Sequence, residues 1–295
     1  MEIIDKFKSF IPQHDFFIGV DSDGCAFDAM GIKHKKAFIP MAIKVWNLQA
    51  IEKQVYEVGE FVNLYSGMRG INRFPGLLVM FECLEERLDV AEADVILPNY
   101  TELRDFVNSG LPMSNFSLKS FADSKESKFL SELLEWSVGS DQLFSLHVED
   151  LPPFQYVAES LAAAEKSCDL MIVSAASGEG LLKDWKQGGI LQYMTLVAGQ
   201  EVGSKKDQLA YAAQGKYKEN HILMIGDAPG DLKAAKDNGA LFYPIFPGYE
   251  VQSWKRFYEQ AFELFVKGEY AGNYEEKLIA EFLKLLPNEK PWVIK

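Results

Sequence analysis

Residues 16–24 read FFIGVDSDG, an apolar run that ends in two aspartates one residue apart and a glycine. A short, continuous apolar run of this kind is typical of a buried strand in a parallel sheet. Side chains alternate along a strand, so Asp21 and Asp23 start on the same side, and a turn at Gly24 can separate them. Because two close carboxylates repel each other, the stretch predicts a strand end that binds a cation. The ordinary alternative is that the aspartates only form a turn.

In three later segments, polar side chains again stand at the end of an expected strand or at the start of an expected helix. The segments are a run at 170–173 ending in Ser174, an expected helix beginning at Lys205, and a run at 222–225 followed by Asp227 and Asp231. Taken alone, each has an ordinary explanation: a turn serine, a solvated lysine and a helix cap. However, the helix dipole disfavours a lysine at a helix start, and ligands of open parallel sheets collect at the carboxyl ends of strands. The four segments together favour a functional site.

The chain changes character between its ends and its middle. From residue 169 onward, apolar runs alternate with helix-like stretches, which predicts βα units and a parallel sheet covered on both faces. The expected strands are 170–173, 194–197, 222–225 and 240–243, and the expected helices are near 180–187, 205–213 and 230–238. Residues 29–150 contain long helix-like stretches at 35–62 and 77–93 instead. We therefore expect an α/β core formed by 1–28 and 151–295, with a helical tail, and a helical insertion at 29–150.

Composition narrows the class of protein. The chain has 295 residues, 48% of them hydrophobic, which is enough for one large or two modest domains. Thirty basic and 43 acidic residues give a formal net charge of -13, which disfavours nucleic acid and anionic membranes as partners. Three widely spaced cysteines support neither a disulfide framework nor a zinc cluster. No uncharged apolar segment approaches about 18 residues, so we expect a cytoplasmic protein.

The four segments resemble the motifs of the haloacid dehalogenase-like hydrolase superfamily. The matching residues are Asp21-Ser22-Asp23-Gly24 with Asp28, then Ser174, then Lys205, then Gly226-Asp227 with Asp231. The resemblance covers about residues 14–28 and 154–247. It implies a Rossmann-like, doubly wound core, a helical cap inserted after the first motif (the C1 type), a magnesium ion and an aspartyl-phosphate intermediate. The chain departs from the pattern at Cys25, where the family more often has a small hydroxyl residue.

The resemblance also implies a role for each motif residue. Asp21 is the nucleophile, Asp23 the general acid and base, Ser174 and Lys205 bind the phosphoryl group, and Asp231 orients Lys205 or a metal-bound water. Magnesium is expected on Asp21, on the carbonyl of Asp23 and on Asp227, because oxygen ligands suit this ion. Lys206 is adjacent to Lys205; we prefer Lys205 because Leu209 then follows four residues later as the apolar anchor of the helix.

These roles predict a magnesium-dependent phosphohydrolase that acts on a small phosphorylated metabolite. A phosphomutase would use the same residues and exclude water from the phosphoryl enzyme. A non-catalytic phosphometabolite-binding protein is the alternative from another class, and the intact acids count against it. A dehalogenase or a phosphonatase is less favoured, because Asp23 has no function in either. The oligomeric state and the identity of the metabolite stay open.

The insertion is expected to select the substrate. Arg69, Asn72 and Arg73 are spaced three and four residues apart, so on a helix they would share a face and reach a polar or anionic substrate. The alternatives are a solvated basic face, or structural pairing with acids of the insertion.

Overall fold

A computed structural model gives the fold for residues 2–123, 125–148 and 151–292. The chain divides into two compact units. The first, which we call the core unit, comprises Met1–Ala29 and Asp150–Leu285; the second, the helical unit, comprises Met30–Glu149 and Leu286–Lys295. The sequence assignment placed the whole tail with the core, whereas these boundaries place its last residues with the helical unit. Residues 149, 150 and 293–295 of that assignment lie outside the described residues.

The core unit is built on a five-stranded parallel sheet. Its strands are β1 (Phe16–Val20), β2 (Cys168–Val173), β3 (Leu196–Ala198), β4 (Ile222–Gly226) and β5 (Leu241–Pro244). All residues of β2, β4 and β5 are buried, as expected for strands covered on both faces. The α/β fold with a parallel, Rossmann-like sheet is therefore confirmed.

The strand order locates the site. The order is β3-β2-β1-β4-β5, so β1 lies at the centre, between β2 and β4. From β1 the chain adds β2 and β3 on one side and then crosses to the other side for β4 and β5. In such sheets the crevice at the carboxyl ends of the strands on either side of this switch is where ligands bind. Here those strands are β1 and β4.

Helices of the core unit connect and cover these strands. They are Glu2–Lys8, Val157–Ala164, Gly178–Gln187, Lys205–Ala213, Pro229–Asp237, Glu250–Arg256, Phe262–Val266 and Asn273–Lys284, with a π-helical turn at Phe257–Ala261 and 3-10 turns at Leu191–Tyr193 and Gln200–Val202. The last helix docks on β5 through buried Glu275, whose carboxylate accepts hydrogen bonds from the Phe242 amide at 2.7 Å and from Lys236 at 2.6 Å. The tail up to residue 285 thus packs on the sheet.

The helical unit has its own apolar core. Its elements are a π-helical turn at Lys33–Phe38, the 3-10 turn Gln49–Ile51, and the helices Ile39–Val45, Glu52–Leu64, Arg73–Glu85, Leu88–Ala91, Thr101–Asn108, Asn115–Ala122 and Lys128–His147; Ala29–Ile32 spans the boundary between the units. Trp46, Phe81 and Trp136 are buried together at its centre. Trp292, near the chain end, packs edge-on against Phe61 at 5.3 Å between ring centroids. In the part of the chain that the structure describes, no helix is long and apolar enough to span a membrane.

Candidate active site

Asp21 is the first residue after β1, at the centre of the sheet. Its amide donates to the Ile225 carbonyl at 3.0 Å, which extends the pairing of β1 with β4 by one residue. Its side chain is buried. The following loop turns tightly, because the Ser22 carbonyl accepts from the amides of Cys25, Ala26 and Phe27. The φ angle of Gly24 is 84°, a backbone conformation that favours glycine.

Two buried tryptophans hold this loop. Trp185 Nε1 donates to Ser22 Oγ at 3.0 Å, and Trp254 Nε1 donates to the Cys25 carbonyl at 2.8 Å. Both indoles are fully buried. Buried hydrogen bonds, which are stronger than those in water, therefore hold the loop on either side of Asp23, through the Ser22 side chain and the Cys25 carbonyl. Cys25 is a buried residue of this loop, and its thiol donates to the Ile225 carbonyl at 3.7 Å.

Asp227 and Asp231 lie at the end of the neighbouring strand, β4. Asp231 is the third residue of helix Pro229–Asp237, and its Oδ2 accepts from the amides of Asp227 at 3.1 Å and Ala228 at 3.0 Å. This carboxylate therefore caps the helix and fixes the turn that presents Asp227. A Cβ atom at Gly226 would lie 2.4–2.5 Å from atoms of Asp231, so this turn requires a glycine.

Lys205 joins the two strand ends. Its Nζ lies 2.8 Å from Asp21 Oδ1 and 2.5 Å from Asp231 Oδ1. The helix that carries it starts in a capping box, in which Ser204 and Asp207 bond each other's backbone amides. Lys206 instead pairs with Asp237 at 3.4 Å and is exposed. The structure thus brings Lys205, and not Lys206, to the first aspartate.

The donor set fits a divalent magnesium ion. Carboxylate oxygens of Asp21, Asp227 and Asp231 all lie within 4.8 Å of one another, and all three side chains are buried. When ionised, these three carboxylates exceed the single charge of Lys205 by two negative charges. Both oxygens of Asp231 already accept hydrogen bonds, which leaves Asp21 and Asp227 as the better ligands. An all-oxygen set of this kind suits magnesium rather than zinc.

Burial and crowding shift the acid–base properties of the cluster. Burial raises the pKa of Asp21 well above its usual range; Asp231 and Asp227 add to the increase, and Lys205 opposes it. For Lys205, burial opposes the charged form, but the carboxylates of Asp21 and Asp231 raise its pKa above the ordinary value. The two carboxylates thus favour the charged ammonium form of Lys205.

Ser174 and Asp23 follow the ends of the paired strands β2 and β1, respectively. Ser174 follows β2, is buried, and its amide donates to the Ala198 carbonyl at 3.1 Å. Its Oγ accepts from the Ala176 amide at 3.1 Å, which closes a serine turn. Asp23 is partly buried within the loop after β1, and a backbone bridge pairs it with Phe27.

The three residues Arg69, Asn72 and Arg73 of the helical unit do not share one helical face. Asn72 is the N-cap of helix Arg73–Glu85, accepting from the Phe74 amide at 3.1 Å, and Arg69 lies in the preceding turn. Arg73 pairs with Asp141 at 2.7 Å and donates to the Ser137 carbonyl at 3.2 Å. The Arg73 contact with Asp141 matches the alternative to substrate binding given above, structural pairing with acids of the insertion. Buried Arg69 donates to the Leu64 carbonyl at 2.9 Å.

Sequence reasoning missed three residues that shape the site. The indoles of Trp185 and Trp254 hold the loop after β1, and Gln208 contacts the loops after β2 and β3. Nothing local marks the two tryptophans, because each acts across a long separation in sequence. Gln208 carried one weak signal, a polar residue at a helix position that also faces the sheet.

Comparison with known proteins agrees with the motifs. The family model of haloacid dehalogenase-like hydrolases matches residues 99–243, which include Ser174, Lys205, Asp227 and Asp231. No curated protein matches the chain in sequence.

Solved structures of low sequence identity are also similar to the chain. One is a haloacid dehalogenase-like family hydrolase from Streptococcus pneumoniae, with 15% identity and a TM-score of 0.44, covering 86% of this chain and 98% of the other. A second is a HAD-superfamily hydrolase of subfamily IA from Geobacter sulfurreducens, with 12% identity and a TM-score of 0.40, covering 79% and 88%.

Proposed function

We propose that this chain is a haloacid dehalogenase-like hydrolase, in line with the family match over residues 99–243, and that it is a magnesium-dependent phosphohydrolase acting on a small phosphorylated metabolite. The observation that carries the proposal is the position of Asp21. It is a buried carboxylate at the end of the central strand, 2.8 Å from a partly buried lysine and clustered with two further acids. A phosphoryl group, with its spread negative charge, needs a nucleophile and cations in this arrangement.

In the first step, an Asp21 oxygen attacks phosphorus. A bond forms between this oxygen and phosphorus while the ester P–O bond breaks, and the leaving oxygen takes a proton from Asp23. Lys205 and Ser174 hold phosphoryl oxygens, so that charge is balanced as it moves. Asp231 keeps the ammonium of Lys205 in place through their contact.

In the second step, Asp23, now a carboxylate, removes a proton from water. The water oxygen attacks phosphorus, the bond to Asp21 breaks, and inorganic phosphate leaves with Asp21 and Asp23 returned to their starting states. Magnesium, held by Asp21, Asp227 and the Asp23 carbonyl, supplies charge neutralisation and orientation for the phosphoryl group when bound. The proposal requires that water reach the phosphoryl enzyme, which a phosphomutase would prevent.

Release of inorganic phosphate from a panel of phosphorylated metabolites, with and without magnesium, tests the proposal. We expect magnesium-dependent release that Asp21→Asn lowers by about three orders of magnitude or more while the fold, followed by circular dichroism, is kept. Asp15→Asn is the matched control, because Asp15 is an exposed acid just before β1, at the opposite end of that strand. No release from any substrate, or equal activity of the two variants, would contradict the proposal. A product isomer without phosphate release would indicate the mutase.

Arg69, Asn72 and Arg73, the residues considered for substrate selection, each have a structural contact. Arg73 pairs with Asp141, Asn72 caps its helix, and buried Arg69 donates to the Leu64 carbonyl. A substrate contact by Arg69 predicts that Arg69→Ala alters the preference among natural metabolites and leaves a small aryl phosphate unaffected.

A further inference from the structure

Gln208 occupies an unusual position in the core unit. It lies on helix Lys205–Ala213, one turn after Lys205, and is fully buried. Its side-chain Nε2 lies 2.9 Å from the Ser174 carbonyl, 3.0 Å from the Gly199 carbonyl and 3.0 Å from the Gly203 carbonyl. Three acceptors around one atom identify that atom as the amide nitrogen, with one N–H shared between two carbonyls.

The three carbonyls belong to the segments that carry the phosphate-binding residues. Ser174 follows β2, Gly199 follows β3, and Gly203 precedes the helix start at Lys205. At these positions the sheet has ended, so the carbonyls have no strand donor. A carbonyl without a donor is costly, and the Gln208 side chain donates to all three; the Gly199 carbonyl also accepts from the Val202 amide at 3.0 Å.

Each of these carbonyls also fixes the direction of an amide. The peptide is planar and trans, so its N–H points opposite to its C=O. The Gln200 amide, which shares a peptide with the Gly199 carbonyl, donates to the Ala176 carbonyl at 2.8 Å. The Ser204 amide, which shares a peptide with the Gly203 carbonyl, donates to the Asp207 carboxylate in the capping box at 3.1 Å. By the same geometry, the bond to the Ser174 carbonyl sets the direction of the Ala175 N–H.

We propose that Gln208 is a positioning residue of the phosphate subsite, which holds the Ser174–Ala175 peptide and the start of the Lys205 helix in one fixed arrangement. The inference rests on the proposed function, because it assumes that Ser174, the Ala175 amide and Lys205 bind a phosphoryl group. Among the described residues, Gln208 forms no hydrogen bond with Asp21 or Asp227. It therefore acts on phosphate binding and not on magnesium binding.

The test measures the affinity for phosphate and the affinity for magnesium separately. Gln208→Met keeps the length of the side chain and removes both donors. We expect the variant to bind inorganic phosphate and orthovanadate about tenfold or more weakly than the wild type, measured in the presence of magnesium, with kcat/KM reduced to a similar extent. Magnesium affinity, measured without phosphate, is expected to change less than twofold, an outcome that general destabilisation of the site would not give.

Gln192→Met is the matched control. Gln192 lies in the same unit, is exposed, and donates one hydrogen bond to the Gly189 carbonyl at 2.7 Å. We expect this variant to keep both affinities. Equal phosphate affinity in wild type and Gln208→Met, or a parallel loss of magnesium affinity, would overturn the inference alone. A wild type that binds neither magnesium nor phosphate would overturn the proposed function and the inference with it.

Gln208→Glu keeps the test decisive if the methionine variant does not fold. An ionised glutamate faces three carbonyl oxygens and repels them, whereas a protonated glutamate offers one O–H donor. We expect phosphate affinity relative to wild type to be lowest at high pH and to recover as the pH falls. A ratio that stays constant with pH would contradict the positioning role.

Discussion

At the scale of single residues, Gly226 leaves the space in which the Asp231 carboxylate lies. It ends β4, and the Asp231 carboxylate packs where a side chain would lie. Asp231 needs that position to reach both the Ala228 amide and Lys205. One missing methyl group therefore allows the contact that holds the lysine.

Gly226→Ala is expected to displace Asp231, because the added Cβ would approach its atoms to 2.4–2.5 Å. We expect a loss of about 1–3 kcal/mol in the free energy of unfolding, typical of overpacking, together with lower phosphate release. Gly230→Ala is the control: nothing lies within 4 Å of its added Cβ, so the variant should be neutral or slightly more stable. Chemical denaturation measures both, and equal stability of the two variants would refute the steric argument.

The role of Asp23 is tested by the leaving group. Asp23→Asn removes the acid proposed to protonate the leaving oxygen, so the rate loss should be large for alkyl phosphates and smaller for aryl phosphates, whose leaving groups depart without protonation. The same variant should also slow hydrolysis of the phosphoryl enzyme. Steady-state rates on a matched alkyl and aryl pair measure the difference, and an equal loss on both would assign Asp23 a structural role only.

At the scale of elements, the predicted helix 205–213 is the observed Lys205–Ala213, and the predicted strands lie within two residues of β2, β3, β4 and β5. Continuous apolar runs between turn residues are a strong local signal. The helices of the insertion were harder to predict from the sequence. The long helical stretch predicted at 35–62 is broken at Asn47, whose φ is 54°, and Arg69 was misplaced because Asn72 starts a new helix. Asparagine favours both left-handed and cap positions, but a hydrophobic pattern does not reveal which one it takes.

The π-helical turn Lys33–Phe38 buries a histidine, which predicts a pH dependence of stability. Burial lowers the pKa of His34 to about 3, and nearby Lys33, Arg69 and Arg73 add to the effect. In the unfolded chain its pKa is about 6.5, so between about pH 6.5 and 3 only the unfolded state binds the proton. Stability contributed by neutral His34 is thus complete above pH 6.5 and is lost as the pH falls.

We expect this loss to approach about 1.4 kcal/mol per pH unit below pH 6, measured by denaturation of the protein at a series of pH values. The variant His34→Gln should show a smaller slope in this range. Removing exposed His147, on helix Lys128–His147 of the same unit, should leave the slope unchanged. Identical slopes for wild type and His34→Gln would contradict the assignment.

At the scale of the whole molecule, the core is assembled from distant parts of the chain. In the sheet, Phe16 pairs with Cys168 and Phe17 pairs with Ile222. In the sequence, the insertion therefore separates β1 from the two strands that pair with it. The family match at 99–243 does not reach Asp21, whereas the four motifs in order predicted it. The Gln208 contacts and the packing of Trp292 with the helical unit depend on tertiary structure, which a single sequence does not display.

The central claim is that Asp21 becomes phosphorylated and is then freed by water. Its most direct test is mass spectrometry of the acid-quenched protein after incubation with magnesium and an aryl phosphate, using Asp23→Asn to slow hydrolysis. The account predicts one phosphoryl group on the peptide that contains Asp21, dependent on magnesium and absent when Asp21→Asn is added to the variant. Phosphate release by the wild type, with no adduct on that peptide even in Asp23→Asn, would contradict it.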